Sequence, residues 1–181
     1  MSTERLTKKQ HNILEHLNFP TEYLVDYLLF EGGTPFDFRS IYNRLDQQDY
    51  NYTSTQAVSL RRTLRTMEHK GLLKRSSVTT EIRNGINGQV ATWHIPADYD
   101  RDCRFQEALP AIRTIKYQKV TEHTPPHLIK STMLGDYVDS EWLGPLLIDW
   151  LDGKTECIGL PSWVQVPQLE KAEPERMLVS H

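Results

Sequence analysis

The chain lacks any run of about 18 to 20 consecutive apolar residues, the length that a membrane-spanning helix needs. Its first residues, MSTERLTKKQ, also lack the apolar core of a signal peptide. Only two residues are cysteines, Cys103 and Cys157, and so low a content is typical of a reducing compartment in which thiols stay free. These absences predict a cytoplasmic protein with no membrane association.

Motifs of the common enzyme classes are missing as well. The chain has no Walker loop, no nucleophile elbow and no dinucleotide-binding fingerprint. His123 and His127 could be drawn as zinc ligands, but the HTPPH stretch does not favour one helical face and the cysteine spacing fits no zinc pattern. A solvated loop is the better interpretation. We therefore predict no enzyme activity, no bound metal and no cofactor.

What the chain does have is an uneven distribution of charge. Its net charge is −3, but residues 1–98 hold 12 basic against 11 acidic residues and residues 99–181 hold 9 against 13. Between Thr53 and Arg83, seven basic residues stand against two acidic ones. Because the binding of a polyanion depends on the local field, this stretch is the candidate nucleic-acid contact.

Helix signals precede and include the basic stretch. Thr7 to Gln10 forms a capping box that predicts a first helix, and further helices are predicted from Thr21 to the glycines at 32 and 33 and over about 37–45. A second capping box, Thr53 to Gln56, predicts a helix over 53–70 that ends before Gly71. Its apolar spacing predicts a buried face made of Ala57, Leu60, Leu64 and Met67. The arginines then lie away from the core.

After Gly71 the pattern changes to that of a β-hairpin. The segments LLKRSSVTTEIR and QVATWHI are rich in strand-forming residues, and Asn84 to Gly88 supplies residues suited to a turn. Pro96 closes the hairpin. We therefore predict a hairpin over 72–95 with a basic first strand.

This order of elements resembles the winged helix-turn-helix superfamily. The residues that carry the resemblance are Leu60, Leu64, Met67, Glu68 and Lys70, followed by GLLKR. Bacterial and archaeal regulators of the MarR, PadR and ArsR kinds have similar strings, in which a glycine, two aliphatic residues and a basic residue follow the recognition helix. The resemblance covers about residues 7–96 and implies a DNA-binding domain with a recognition helix and a wing.

The resemblance also implies which side chains contact DNA, because recognition helices enter the major groove by their amino-terminal part. We place Arg62 on base edges, since arginine can fork onto guanine, and Arg61 and Arg65 on phosphates. Val58 suits a thymine methyl group, and Arg83 suits a phosphate or a narrow minor groove. The full set of predicted DNA contacts is Ser54, Thr55, Val58, Ser59, Arg61, Arg62, Arg65, Lys74 and Arg83.

The second half of the chain carries weaker signals. We predict a helix over about 98–119 that Pro110 interrupts, two shorter helices near His127 to Met133 and Glu141 to Leu151, and a polar tail over 165–181. The apolar stripes within 105–115 and 143–151 allow two interpretations, packing inside the chain or an interface with a second copy or a partner protein.

The sequence thus predicts a mainly α protein with a small antiparallel β-hairpin, in which a winged-helix domain (1–98) precedes a helical dimerisation or partner region (99–164). The predicted function is that of a transcriptional regulator that binds double-stranded DNA as a homodimer and lies on the nucleoid when bound, with helix 53–70 in the major groove and wing 72–95 on the backbone or minor groove. The alternative is a winged-helix module that recruits partner proteins.

Overall fold

The computed structural model describes residues 5–31, 33–46, 54–83 and 86–165, and it is mainly helical there. The helices are α1 (Lys8–Leu17), α2 (Thr21–Asp26), α3 (Phe38–Asp46), α4 (Thr55–His69), α5 (Tyr99–Ile115) and α6 (Leu143–Leu151). The strands form two antiparallel hairpins, β1 (Lys74–Arg83) with β2 (Ile86–His94) and β3 (Ile129–Thr132) with β4 (Gly135–Val138). The predicted class, mainly α with a small antiparallel hairpin, is confirmed. The predicted polar tail lies almost wholly outside the described residues.

The first helices begin where the sequence predicts. The Thr7 hydroxyl accepts from the Gln10 amide at 3.2 Å, and the Gln10 side chain accepts from the Thr7 amide at 2.9 Å, so the capping box is confirmed. The second helix differs from an ordinary one, because α2 passes directly into a π-helical turn, Tyr27–Glu31. Such turns are rare and are often found at functional sites.

The start of α4 corrects the sequence-based prediction by one residue. Ser54, and not Thr53, is the N-cap, because its hydroxyl accepts from the amide of Ala57 at 3.2 Å. Thr53 itself lies outside the described residues. The end of α4 agrees with the prediction: Gly71 has a φ of +70° and the amide of Leu72 donates to the carbonyl of Met67 at 2.9 Å.

The β1–β2 hairpin is joined to the helices through a short extended segment. Asp37 forms an antiparallel bridge with Thr92, and the amide of Trp93 donates to the carbonyl of Phe36 at 3.1 Å. The segment before α3 therefore lies beside β2 and orients the hairpin relative to α3 and α4.

A buried polar network joins the hairpin to α5. His94 is fully buried, with its Nδ1 3.3 Å from a carboxylate oxygen of Asp102 and its Nε2 2.9 Å from the Thr92 hydroxyl. Gln106 bonds the same imidazole nitrogen at 3.0 Å, and the Arg101 guanidinium donates twice to Asp102. Since the Thr92 hydroxyl has no exposed surface, this threonine–histidine–aspartate series cannot meet a substrate in this conformation and serves to position β2 on α5.

The second half corrects two further predictions. The predicted helix near His127 to Met133 is wrong, because the β3–β4 hairpin occupies this region. Thr132 favours the hairpin turn by donating to the carbonyl of Gly135 at 3.0 Å, and Gly135 supplies the required positive φ of +119°. The predicted interruption at Pro110 is also wrong, since α5 continues through it and buries apolar residues both before and after the proline, such as Phe105 and Ile112. The helix predicted near Glu141 to Leu151 is confirmed as α6.

The apolar stripes of α5 and α6 pack inside the chain. Phe105, Leu143, Leu147 and Leu151 have no exposed surface and belong to the same core as the buried residues of α1 to α4. Phe105 meets Phe36 edge to face, with 5.8 Å between the ring centroids. Of the two interpretations, packing within the chain is the correct one, and the seam predicted for a dimer is closed by the chain itself.

The predictions that concern membrane-spanning helices and free cysteines can be compared with the described part of the chain. No helix in it combines the length and the apolar character needed to cross a bilayer. Cys103 is half-buried, Cys157 is exposed and both are free, as the cysteine content predicts.

A hydrogen bond between distant segments yields a testable pKa. The Thr21 hydroxyl donates to Asp152 at 2.7 Å, and this bond is the main reason why the pKa of Asp152 lies below its usual value of 3.8. A group whose pKa is lower in the folded state stabilises the fold at every pH above its usual pKa. This stabilisation is lost as the pH falls through the lowered pKa. We expect Thr21→Val to raise the pKa of Asp152 in an NMR titration. Thr114→Val, on the exposed face of α5, is the matched control, and an unchanged Asp152 pKa in Thr21→Val would contradict the assignment.

Candidate nucleic-acid interface

Helix α4 has one buried face and one face directed to solvent. The buried face is the predicted one, with Ala57, Leu60, Leu64 and Met67 all at 0 % exposure. The opposite face carries the predicted contact residues, of which Thr55, Val58, Ser59, Arg61, Arg62 and Arg65 are exposed. The structure therefore brings these six side chains to one surface.

Arg62 and Arg65 are the two arginines of this face whose guanidinium groups have no partner among the described residues. Within the part of the chain that the structure describes, neither guanidinium forms an ion pair or a hydrogen bond. The Thr66 hydroxyl donates to the backbone carbonyl of Arg62 at 2.9 Å, which leaves the Arg62 side chain unaffected. Both cations are thus available to an external anion.

Arg61 is placed differently from the other two arginines. Its guanidinium lies 4.6 Å from the centre of the Phe38 ring on α3, which gives a cation–π contact. This contact holds the side chain at the junction of α3 and α4, on the flank of the exposed face. Its position suits a phosphate at the edge of a groove better than a base edge.

The hydroxyl residues at the start of α4 are not equivalent. Ser54 is the helix cap and its hydroxyl lies 3.2 Å from that of Tyr42, so its hydrogen-bonding capacity is largely used inside the protein. Thr55 is exposed, and it is therefore better placed than Ser54 to contact an external ligand. Ser59 accepts from the ammonium of Lys9 at 3.1 Å.

Lys9 is a residue of this surface that sequence reasoning missed. It lies on α1, 50 positions before Ser59, and its ammonium extends the positive charge of α4 beyond the helix itself. The Lys8–Lys9 pair was visible in the sequence, but only the hydrogen bond from Lys9 to Ser59 assigns one of these lysines to the surface.

The hairpin supplies the remaining predicted contacts. The ammonium of Lys74 lies 4.7 Å from the centre of the Tyr99 ring. A hydrogen bond with Cys103 is the main cause of a pKa of Tyr99 above its ordinary value. Arg83 lies at the end of β1, after a shift in strand register between Glu81 and Arg83. The position of its side chain lies outside the described residues.

The histidines considered as zinc ligands, His123 and His127, do not belong to a metal-binding cluster in the described part of the chain. Both His123 and His127 are exposed. Across the described ranges, no group of three or more histidine, cysteine, aspartate or glutamate side chains comes close enough to hold a metal ion.

Comparison of the chain with protein-family models, with curated proteins and with solved structures gives no match in any of the three. The assignment of function therefore depends on the geometry and chemistry of the surface described above.

Proposed function

We propose that the protein is a transcriptional regulator that binds double-stranded DNA in a sequence-specific manner. The observation that carries the proposal is the exposed face of α4, where the guanidinium groups of Arg62 and Arg65, which have no partner in the described part of the chain, lie beside hydroxyl residues. Few ligands other than a polyanion require so many cations on one helix.

The order and pairing of the elements support a winged helix. Helices α3 and α4 are followed at once by the β1–β2 hairpin, and the extended residues Phe36 and Asp37 pair with β2 beside it. In a winged helix the second of these helices is the one that enters the major groove, and the hairpin is the wing that contacts the flanking backbone.

The dimensions of α4 also support this role. Its 15 residues give a length of about 22 Å, and the major groove is about 12 Å wide, which admits one α-helix. Thr55 and Ser59 lie on the amino-terminal half of the exposed face, where recognition helices approach base edges. Arg62 follows Ser59 by three residues and can reach the same base pairs.

Roles can then be divided between base and backbone contacts. We assign Arg62 to direct readout, with a bidentate contact to guanine, because it lies near the middle of the exposed face. Arg61 on the flank and Arg65 further along the exposed face, together with Lys9 on α1 and Lys74 on β1, are assigned to phosphates. Phosphate contacts set the orientation of the protein on the duplex and most of its affinity, and base contacts set its preference for one DNA sequence over another.

The salt dependence of binding tests the proposal. Arg61, Arg65, Lys9, Lys74 and Arg83 would make about five phosphate contacts, so the logarithm of affinity should fall with the logarithm of salt concentration with a slope of about −4.5 per bound chain. The measurement is a titration of labelled duplex DNA between about 50 and 200 mM salt, using fragments that the protein retains from a random pool.

Two outcomes would contradict DNA binding. One is the absence of any retained fragment, and the other is an affinity that does not change with salt. Either result would favour the alternative function, a module that recruits partner proteins through a surface with few charge contacts.

A further inference from the structure

Two exposed aromatic side chains lie on segments that meet each other, the π-helical turn and the end of α5. Phe30 has 67 % of its surface exposed and Tyr117 has 75 %. Lys116 connects the two segments, because its ammonium donates to the carbonyl of Leu29 at 2.9 Å and lies 5.1 Å from the centre of the Tyr117 ring. We call Phe30 and Tyr117 the aromatic pair.

The segments that carry the aromatic pair have opposite charges of equal size. Residues 21–33 contain three acidic residues and no lysine or arginine, and residues 110–120 contain three basic residues and no acidic one. The acidic side chains are Glu22, Asp26 and Glu31, and all three are exposed. Of the basic ones, Lys116 is buried as described, whereas Arg113 and Lys119 are exposed.

From this arrangement we infer that the aromatic pair is the centre of an interface with a second copy of the same chain. In a two-fold dimer the same surface meets itself, and rotation brings residue i of one copy against residue j of the other. A surface with an acidic segment on one side of an aromatic centre and a basic segment on the other is complementary to itself under this rotation. Asp26 and Glu31 of one copy would face Arg113 and Lys119 of the second copy, around a centre of four aromatic rings.

The charge pattern favours a second copy over other occupants. DNA would be repelled by the acidic segment, and a cationic or anionic partner would be repelled by one of the two segments. Exposed aromatic residues ringed by charge are typical of interface centres, where rings are desolvated and the charges set orientation. This interface lies apart from the stripes of α5 and α6, which the chain buries internally, and the inference stands whether or not the protein binds DNA.

A charge-reversal experiment tests this interface. The first variant, Asp26→Lys with Glu31→Lys, makes both segments basic, and the second, Arg113→Glu with Lys119→Glu, makes both acidic. Each variant alone should show a dissociation constant at least about tenfold higher than that of the wild type, because like charges then face each other. An equimolar mixture should regain the dimer as a heterodimer, since the two surfaces complement each other again. Sedimentation equilibrium of the full chain over a wide concentration range measures each state.

The matched control is Glu122→Lys with Glu156→Lys, which makes the same change of charge at two exposed positions outside the interface and should leave the dimer intact. Phe30→Ala, which removes an exposed ring and leaves the charges unchanged, should weaken the dimer without unfolding the chain. A monomeric wild type, a dimer that is insensitive to the reversals, or a mixture that stays monomeric would each overturn the inference. Because the measurement follows mass and not DNA binding, its failure is distinct from the failure of the proposed function.

Discussion

Replacing Arg62 and Arg65 together by alanine is expected to remove most of the affinity for duplex DNA. Arg62 alone should account for a loss of about 1–3 kcal/mol against the preferred sequence, roughly 5- to 150-fold in Kd, because a bidentate contact to guanine would be lost. Replacing Arg65 should add a loss of affinity that is the same for every DNA sequence. It should also reduce the magnitude of the salt slope by about 0.9. Fluorescence anisotropy with a preferred and a scrambled duplex measures both effects.

Single replacements of Arg62 and Arg65 are expected to change the affinity for DNA in different ways. Arg62→Ala should narrow the difference in affinity between the preferred and the scrambled duplex, whereas Arg65→Ala and Arg83→Ala should lower both affinities evenly. Lys130→Ala removes a positive charge from the exposed β3 strand and serves as the control, with no expected change. If Arg62→Ala lowers both affinities by the same factor, its assignment to direct readout is wrong.

Leu147→Ala is expected to lower the free energy of unfolding by about 2–5 kcal/mol, because it leaves a cavity in the core at a position with no exposed surface. Helix α6 packs directly on the first half of the chain, since a Cβ added at Gly144 would be in ordinary van der Waals contact, 3.9 Å, with both Leu29 and Val25. Urea denaturation followed by circular dichroism gives the change in free energy.

Leu134→Ala is the matched control for this substitution. Leu134 lies at the turn of the β3–β4 hairpin with its side chain fully exposed, and its replacement should change the free energy of unfolding by less than about 0.5 kcal/mol. If Leu147 lay at a dimer seam and not in the core, the effect of Leu147→Ala would depend on protein concentration. A loss confined to high protein concentration would therefore contradict the packing described here.

Features that depend on neighbouring residues were predictable from the sequence. The capping box of Thr7 and Gln10, the end of α4 at Gly71 and the apolar face of α4 each depend on contacts within a few positions of the chain. The misplaced start of α4 shows the limit of such signals, because Ser54 and Thr53 are both good caps and one hydrogen bond to Ala57 decides between them. The β3–β4 hairpin was missed because its strands are only four residues long.

By itself the sequence determined that the arginines of α4 lie opposite an apolar face, because the period of a helix places residues without reference to the rest of the chain. Only the tertiary structure decided what lies beside that face. Lys9 meets Ser59 across 50 residues, and the stripe that includes Leu147 is covered by helices from the first half of the chain. An apolar stripe at helical spacing is the same pattern whether a second copy or the chain itself covers it. Only long-range packing distinguishes these cases, and it is also what leaves Phe30 and Tyr117 exposed.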